Sequence, residues 1–323
     1  MPTTFTDRNA YRVGIICALA TEKAAVEAML DEEYTRLPNA IGDDNHYSFG
    51  RIGAHHVVVA CLPAGVIGKA SAAAVARDVM RSFPIRIGLM VGICGGVWSE
   101  KVDVRLGDVI VSQPEGQHGG VVQWDMGKME TDGEFRRTGI LNKPPSVLLG
   151  ALQGLKARHE RDEPEMHKHL EEMLRRYPKM NAKYGHQGRS HDLLFESGYD
   201  HRKDNDTCAQ CDESRLVLRR PERGDDRAVI HYGNLASGDR VIKSGQTRDQ
   251  IARIEGVLGF EMEAAGLMDN FPCLVIRGVC DYADSLKNDR WQPYAAAVAA
   301  AFAKELLGMV DAQGVEELPT ARE

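Results

Sequence analysis

The sequence predicts an α/β fold, a three-layer α/β/α sandwich in which helices cover both faces of a mixed central sheet. Strand-to-helix units repeat from Tyr11 to Met80 and from Leu274 to Leu307, and this alternation is typical of layered α/β domains. A chain of 323 residues without an internal repeat can hold one such domain with a large core. A charged stretch between His159 and Gly224 interrupts the pattern and predicts an insertion.

The amino-terminal part of the sheet is predicted from two strand-to-helix units. Tyr11–Leu19 is apolar and predicts a first strand, and Thr21–Leu30 predicts the helix that follows it, with Thr21 as N-cap. Val57–Leu62 predicts a second strand, which leads to an alanine-rich helix at Ala70–Met80.

A glycine-rich turn follows the next predicted strand. Ile87–Gly92 is the strand, and Cys94, Gly95 and Gly96 lie just beyond it. Glycines at the end of a strand let backbone N–H groups approach a ligand closely. Further sheet elements are expected to end near Val111 to Val122.

The insertion divides the domain in the sequence. Helical patterns at Leu148–Ala157 and Glu165–Tyr177 flank its start, and the segment as a whole, residues 159–224, is expected to pack over one edge of the domain. We assign residues 8–312 to a single catalytic domain that includes the insertion, and residues 313–323 to a polar carboxy-terminal tail.

Three carboxylates are expected to meet at one edge of the sheet. Leu274–Val279 predicts a buried strand that ends close to Asp281, and ligands of α/β sheets bind beyond the carboxyl ends of strands. Glu261 and Glu263 begin a helical pattern, so their side chains project from a strand-to-helix junction. Ionised carboxylates only accept hydrogen bonds, so such a pair can bind the two hydroxyl donors of a ribose.

The segments around these carboxylates resemble the nucleoside phosphorylase and nucleosidase superfamily, whose members cleave N-glycosidic bonds. Either segment alone is equally typical of acidic residues at a helix start or a capping Asp, but Phe260–Gly266 and Arg277–Asp284 occur together in the family's order. The resemblance implies that Met262 and Glu263 contact the ribose. It also implies that Asp281 is the acid that shares a proton with purine N7.

Other positions extend the resemblance along the chain. In the superfamily, the turn with Gly95 and Gly96 lines the pocket for the ribose and the nucleophile. The segment Ala236–Asp239 matches as well and implies that Val241 and Ile242 lie beside the purine.

Glu22 determines which reaction the sequence predicts. Hydrolytic members of the superfamily place a Glu in the first strand-to-helix turn to deprotonate water, and the alignment of Gly14–Glu22 with that motif puts Glu22 there. A phosphorylase would have to hold a phosphate dianion, which this carboxylate would repel. An ordinary first-turn Glu that favours the helix dipole is the alternative.

A narrower resemblance is to the nucleoside phosphorylase-like effector domain of fungal NLR-type and ankyrin-repeat proteins. Ala60–Gly65, Gly88–Ile93, Arg137–Pro145 and Met268–Arg277 carry it, and it covers the chain from about Tyr11 to Leu307. Relatives of this domain act as nucleosidases on adenine nucleotides. Cys94 departs from that family, which usually has Gly at this position, and a thiol there is expected to narrow the pocket.

Composition limits the other candidate functions. The net charge is −7 without a basic stripe, which disfavours nucleic-acid binding, and no segment has the length and apolarity of a membrane span or a signal peptide. Cys17, Cys61 and Cys280 fall inside apolar strands and predict reduced thiols in a cytoplasmic or nuclear setting, of which we expect the cytoplasm. The family resemblance implies a homo-oligomer.

The insertion contains a candidate structural zinc site. Cys208 and Cys211 have the spacing of a zinc knuckle, and His201 is the nearest further candidate ligand. Unligated loop residues are the alternative. No organic cofactor is expected.

The sequence thus predicts a purine N-glycosidase that uses water to cleave adenine nucleosides or nucleotides, with ATP among the candidates. For a nucleotide, Arg137 and Lys143 are candidate phosphate-binding residues. A phosphate-dependent purine nucleoside phosphorylase and a catalytically silent nucleotide sensor are the alternatives.

Overall fold

One mixed sheet of ten strands forms the centre of the protein. The computed structural model describes residues 2–131, 133–200, 211–217, 223–286 and 289–321. The strands are β1 (Val13–Cys17), β2 (Glu32–Tyr34), β3 (Ser48–Ile52), β4 (His55–Cys61), β5 (Ile87–Gly96), β6 (Val109–Ser112), β7 (Val121–Gln123), β8 (Gly127–Met129), β9 (Phe135–Arg137), β10 (Ile230–Ser237), β11 (Val257–Glu261) and β12 (Cys273–Asp281). Strands β8 and β9 form a separate hairpin.

The order of the strands brings three carboxyl ends together. The sheet runs β11-β10-β6-β12-β5-β1-β4-β3-β2, with β7 beside β10, and β11 also pairs with β5. Strand β5 is parallel to β12 and antiparallel to β11, and its Gly95 lies opposite both Asp281 and Phe260. The ends of β5, β11 and β12 therefore converge at one place.

Helices cover both faces, so the predicted three-layer α/β/α fold is confirmed. They are α1 (Ala20–Ala28), α2 (Lys69–Ser82), α3 (Ser146–His159), α4 (Met166–Arg176), α5 (Asn181–Tyr184), α6 (Gly245–Glu255), α7 (Gln292–Leu307) and α8 (Ala312–Glu316). The connections through α1 and α2 cross the sheet in opposite directions, and right-handed crossovers then place these helices on opposite faces. Within the described residues, no helix is long and apolar enough to cross a membrane.

Two local predictions were wrong. Helix α1 begins at Ala20, so Thr21 lies inside the first turn and is not the N-cap. The helix expected after Glu263 is only the 3₁₀ turn Ala264–Gly266. It stops there because Gly266 packs directly on the backbone of Lys69 at the start of α2 and the chain then turns into β12.

The insertion packs on the helical layer, and the carboxy-terminal segment docks on the domain. Helices α4 and α5 pack against α7, and Glu305 of α7 accepts hydrogen bonds from the backbone N–H groups of Glu165 and Met166. In the segment predicted as a polar tail, Val315 is buried, and Ala321 donates a hydrogen bond to the carbonyl of Ile85.

Helix α7 lies very close to β12 because Gly278 has no side chain. A Cβ atom at Gly278 would fall 2.8 Å from the Cα of Ala295 and closer still to its carbonyl. Gly278 lies three residues before Asp281, so this contact also sets the position of the strand end that carries the carboxylate.

We expect Gly278→Ala to lower the free energy of unfolding by about 1–3 kcal/mol or more, because the helix must move away from the sheet. Gly150→Ala is the matched control. Gly150 is exposed in α3 with open space around it, and alanine there should raise stability by roughly 0.5–1 kcal/mol. Urea unfolding of both variants measures the difference, and equal stability of the two would contradict the close packing.

Candidate active site

A fully buried guanidinium lies at the centre of the candidate site. Arg277, in the middle of β12, has 0% relative exposure. Its Nη2 contacts the Glu261 carboxylate at very short range and lies 3.3 Å from Glu263 Oε2, while Nη1 lies 3.8 Å from Glu22 Oε1. Burial alone would lower the pKa of Arg277, but the carboxylates of Glu261, Glu263 and Glu22 raise it above its usual value. The guanidinium therefore stays charged and holds three carboxylates around one point.

Glu22 is fixed by backbone donors as well as by Arg277. Its Oε2 accepts hydrogen bonds from the N–H groups of Ala18 (2.7 Å) and Leu19 (2.9 Å), and its Oε1 accepts one from Ile93 (2.9 Å). Leu19, the residue before α1, has no side-chain acceptor. The carboxylate of Glu22 therefore accepts the backbone N–H hydrogen bonds at the start of the helix. A carboxylate has about four acceptor positions, so one remains on Oε1, which is where a water can bind.

Burial raises the pKa of Glu22 above its ordinary value, against the opposing effects of Arg277 and the three backbone donors. A carboxylate with a raised pKa is a better proton acceptor than a solvated one. This environment suits a group that removes a proton from water.

Glu263 is the carboxylate of the cluster with the weakest hydrogen bonds. Its Oε1 accepts a long bond of 3.4 Å from the N–H of Gly68, and Oε2 faces Arg277. Burial raises the pKa of Glu263 to about 7; Arg277 opposes this effect, and the charges of Glu261 and Glu22 add to it. Its oxygens thus retain acceptor positions for hydroxyl groups of a ligand.

Glu261, at the end of β11, has a structural role. Its Oε2 accepts hydrogen bonds from the N–H groups of Glu263 (3.1 Å) and Ala264 (2.9 Å) in addition to the contact with Arg277. These bonds fix the turn that carries Glu263. Met262, between the two glutamates, is partly exposed.

Asp281 lies at the end of β12 and is almost buried, with 8% relative exposure. Its Oδ1 accepts a hydrogen bond from the N–H of Ala283 (2.8 Å), and its Oδ2 lies 3.2 Å from the Cys280 thiol. A Cβ atom at Gly95 would fall 2.7 Å from Oδ1, so glycine is needed at this turn. Ala283 has a φ of 49°, an unusual value for a residue with a side chain.

The remaining predicted pocket residues divide into two groups. Cys94 is buried, and Gly259 leaves space for its thiol, because a Cβ on Gly259 would lie 3.2 Å from the sulfur. Gly96 is buried opposite Gly259, and Ile242 packs in the cluster that contains Phe260 and Ala283. Val241 is exposed.

The structure does not bring the two predicted phosphate-binding cations to the carboxylates. Arg137 makes an ion pair of 2.8 Å with Glu255, which lies at the other end of β11 from Glu261. Lys143 is exposed beside Arg86 and Pro272, which precede β5 and β12, at the ends of these strands opposite the site. Lys69 is the cation beside Gly68, and its Nζ pairs with Asp125 (2.8 Å) and Asp239 (3.3 Å).

The predicted zinc ligands are mostly outside the described residues. His201 and Cys208 lie there, while Cys211 is described and partly buried. In the described part of the chain, no group of three His, Cys, Asp or Glu side chains is arranged to hold a metal. The zinc site stays a prediction, and elemental analysis of protein purified without chelator tests it directly.

Sequence reasoning missed the role of Arg277. The available signal was an arginine inside an otherwise apolar strand, which implies buried ionic partners. The contact of Gly68 with Glu263 was also missed, because it depends on tertiary structure, and so was the contact of the Cys280 thiol with the neighbouring Asp281.

Comparison with known proteins gives a family match over nearly the whole chain. The model of the phosphorylase superfamily matches residues 12–311. A nucleotide-binding leucine-rich repeat (NLR)-like protein of Hyaloscypha variabilis is 45% identical over 310 residues; the match covers 95% of this chain, which spans about 30% of that protein's length.

Two further matches are nucleosidases or hydrolases by name. The 5′-methylthioadenosine/S-adenosylhomocysteine nucleosidase of Mycobacterium bovis is 24% identical, over 93% of this chain and 97% of that protein. The solved structure of futalosine hydrolase from Helicobacter pylori superposes with a TM-score of 0.58 at 17% identity, covering 92% of this chain and 97% of that one. This structure has the same fold.

The raised pKa of Glu263 predicts a specific pH dependence of stability. The pKa is about 7 in the folded protein, above the ordinary value of 4.5, so the folded state binds this proton more tightly than the unfolded state. The resulting stabilisation is complete below pH 4.5 and is lost as the pH rises through 7. The loss is on the order of 3 kcal/mol.

We expect Glu263→Gln to remove this contribution. Urea unfolding from pH 5 to pH 8.5 should show wild-type stability falling relative to the variant, with the difference developing across that range. Glu171→Gln, an exposed substitution on α4, is the control and should follow the wild type. Parallel curves for wild type and Glu263→Gln would contradict the assignment.

Proposed function

The chain belongs to the phosphorylase superfamily, and we propose that it is a purine N-glycosidase that hydrolyses the bond between ribose C1′ and purine N9. The observation that carries this proposal is Glu22, a buried carboxylate with one acceptor position left, held in the same cluster as Glu263 and beside the strand end with Asp281.

The environment of Glu22 favours water over phosphate as the nucleophile. An anion at this place would need the backbone N–H groups at the start of α1 and at the end of β5, but Glu22 already accepts those of Ala18, Leu19 and Ile93. Its own negative charge would repel a phosphate dianion in a site of low dielectric. A water molecule meets neither obstacle.

In the proposed reaction, Asp281 acts as general acid on the purine, and Glu22 acts as general base on the attacking water. Asp281 gives a proton to purine N7 while the C1′–N9 bond breaks, and the electron pair of that bond leaves with the purine. Glu22 takes a proton from water as its oxygen attacks C1′ of the oxocarbenium-like ribosyl group. One nucleoside and one water thus yield free purine and ribose.

Glu263 is proposed to bind the ribose hydroxyls beside Met262. Hydroxyl donors stabilise the ionised form of a carboxylate, so substrate binding lowers the pKa of Glu263 from about 7 and favours its charged form in the complex. That negative charge then stabilises the positive ribosyl group in the transition state.

The charges near the site favour a neutral adenine nucleoside over a nucleotide such as ATP. Arg137 and Lys143 lie elsewhere, and Lys69 is neutralised by Asp125 and Asp239. The nucleosidase from Mycobacterium bovis carries adenine nucleosides in its name, which supports the same substrate class. A purine is required because a pyrimidine has no N7 to protonate.

To test this proposal, the protein is incubated with adenosine, inosine, ATP or uridine in phosphate-free buffer. The free nucleobase that is released is separated from the substrate by chromatography and quantified. We expect adenine from adenosine, less base from ATP, and none from uridine. Absence of any base would support the silent nucleotide sensor. Release that appears only after orthophosphate is added would support the phosphorylase.

We further propose that the protein is a homo-oligomer. The hairpin of β8 and β9 and the residues beside it expose the large apolar side chains of Met126, Met129, Phe135 and Ile140. Apolar surface of this kind is typical of protein interfaces, and a second copy would cover it. A monomer by light scattering at assay concentrations would contradict this part of the proposal.

We expect Asp281→Asn and Glu22→Gln each to lower kcat about a hundredfold or more, through loss of acid or base assistance. Both substitutions are nearly isosteric, so folding should be retained, as far-ultraviolet circular dichroism can verify. Asp44→Asn and Glu171→Gln, both at exposed positions, are the matched controls. Wild-type kcat in either active-site variant would show that its proposed role is wrong.

A further inference from the structure

The insertion touches the loop that follows the proposed acid. The hydroxyl of Tyr282, the residue after Asp281, donates a hydrogen bond of 2.5 Å to Asp192 Oδ1 in the insertion. Tyr282 is buried, and its carbonyl accepts a hydrogen bond of 2.8 Å from Arg248 Nη1 in α6. The loop is therefore held from two sides.

This loop needs such restraint because of its backbone. Ala283 has a positive φ of 49° and donates the N–H bond that orients Asp281 Oδ1. A residue with a side chain stays in this region of φ and ψ only when surrounding contacts enforce it. The hydrogen bond of Tyr282 is one of these contacts.

The same segment of the insertion also holds the helix that carries the proposed base. Tyr184, at the end of α5, donates a hydrogen bond of 3.3 Å to the carbonyl of Thr21, the residue before Glu22. Arg176 Nη1 donates one of 2.7 Å to the carbonyl of Leu30, just beyond the other end of α1. Helix α1 is thus tied to the insertion at both ends.

We propose that the insertion positions the two catalytic carboxylates relative to each other through the contacts of Asp192 with Tyr282 and of Tyr184 with Thr21, so that Tyr282, Asp192 and Tyr184 are positioning residues. The separation of acid and base must fit the distance between N7 and the attacked face of C1′. A misplacement of 1 Å can cost about a hundredfold in rate. One segment that contacts both carriers fixes this separation more directly than the sheet does alone.

A purely structural insertion would act differently. It would stabilise the domain as a whole, and loss of any of its hydrogen bonds would lower the melting temperature without a selective effect on turnover. Tyr177 provides the comparison, because its hydroxyl donates a similar bond of 3.0 Å to Glu33 on β2, away from both carboxylates.

The test compares Tyr282→Phe, Asp192→Ala and Tyr184→Phe with Tyr177→Phe in the full chain. With adenosine as substrate, we expect kcat to fall roughly tenfold in Tyr282→Phe, with KM within about twofold of wild type, because ground-state contacts are retained. Tyr177→Phe should keep the wild-type kcat. The double variant Tyr282→Phe/Asp192→Ala should lose less than the product of the two single losses, since both changes remove the hydrogen bond between Tyr282 and Asp192.

Unchanged kcat in Tyr282→Phe, or an equal fall in Tyr177→Phe, would overturn the proposal. The inference rests on the proposed N-glycosidase activity, so wild type is assayed first, and absence of base release from it counts against that activity instead. Amide hydrogen exchange at residues 281–286 then gives an independent answer. Faster exchange in Tyr282→Phe but not in Tyr177→Phe supports positioning, and unchanged exchange in both contradicts it.

Discussion

The buried Arg277 guanidinium determines how the elements around the candidate site come together. A charge taken out of water costs several kcal/mol unless partners with good geometry surround it. Those partners come from the first turn of α1 and from the end of β11 with the turn that follows it, so these elements must converge on β12. The requirement to neutralise one cation thereby assembles carboxylates from distant parts of the chain.

One guanidinium cannot neutralise three carboxylates. The three glutamates therefore differ in how their remaining charge is stabilised. Glu261 Oε2 accepts two hydrogen bonds from the backbone of its own turn, and Glu22 accepts three from N–H groups at the start of α1 and the end of β5. Glu263 has only long hydrogen bonds, and the remaining repulsion appears in its pKa of about 7. Glu263, whose hydrogen bonds are long, is therefore the carboxylate proposed to receive the hydroxyls of the substrate.

Much of this could be predicted from the sequence, because local pattern and chain order determine it. The β12 strand, the carboxylates beyond it and the family resemblance all follow from short segments. The partners of cations could not be predicted: Arg137 pairs with Glu255, more than a hundred residues later, and nothing near Arg137 indicates this. Thr21 was assigned as a cap by its residue type, while Glu22 provides the acceptor for the helix start.

The sugar product formed in buffer that contains orthophosphate shows whether water or phosphate attacks C1′. If Glu22 activates water beside a carboxylate cluster that excludes phosphate, mass spectrometry of the reaction with adenosine will find free ribose, even at high phosphate concentration. Ribose 1-phosphate as the main product would contradict this account, because it requires a phosphate dianion where the structure has the buried carboxylate of Glu22.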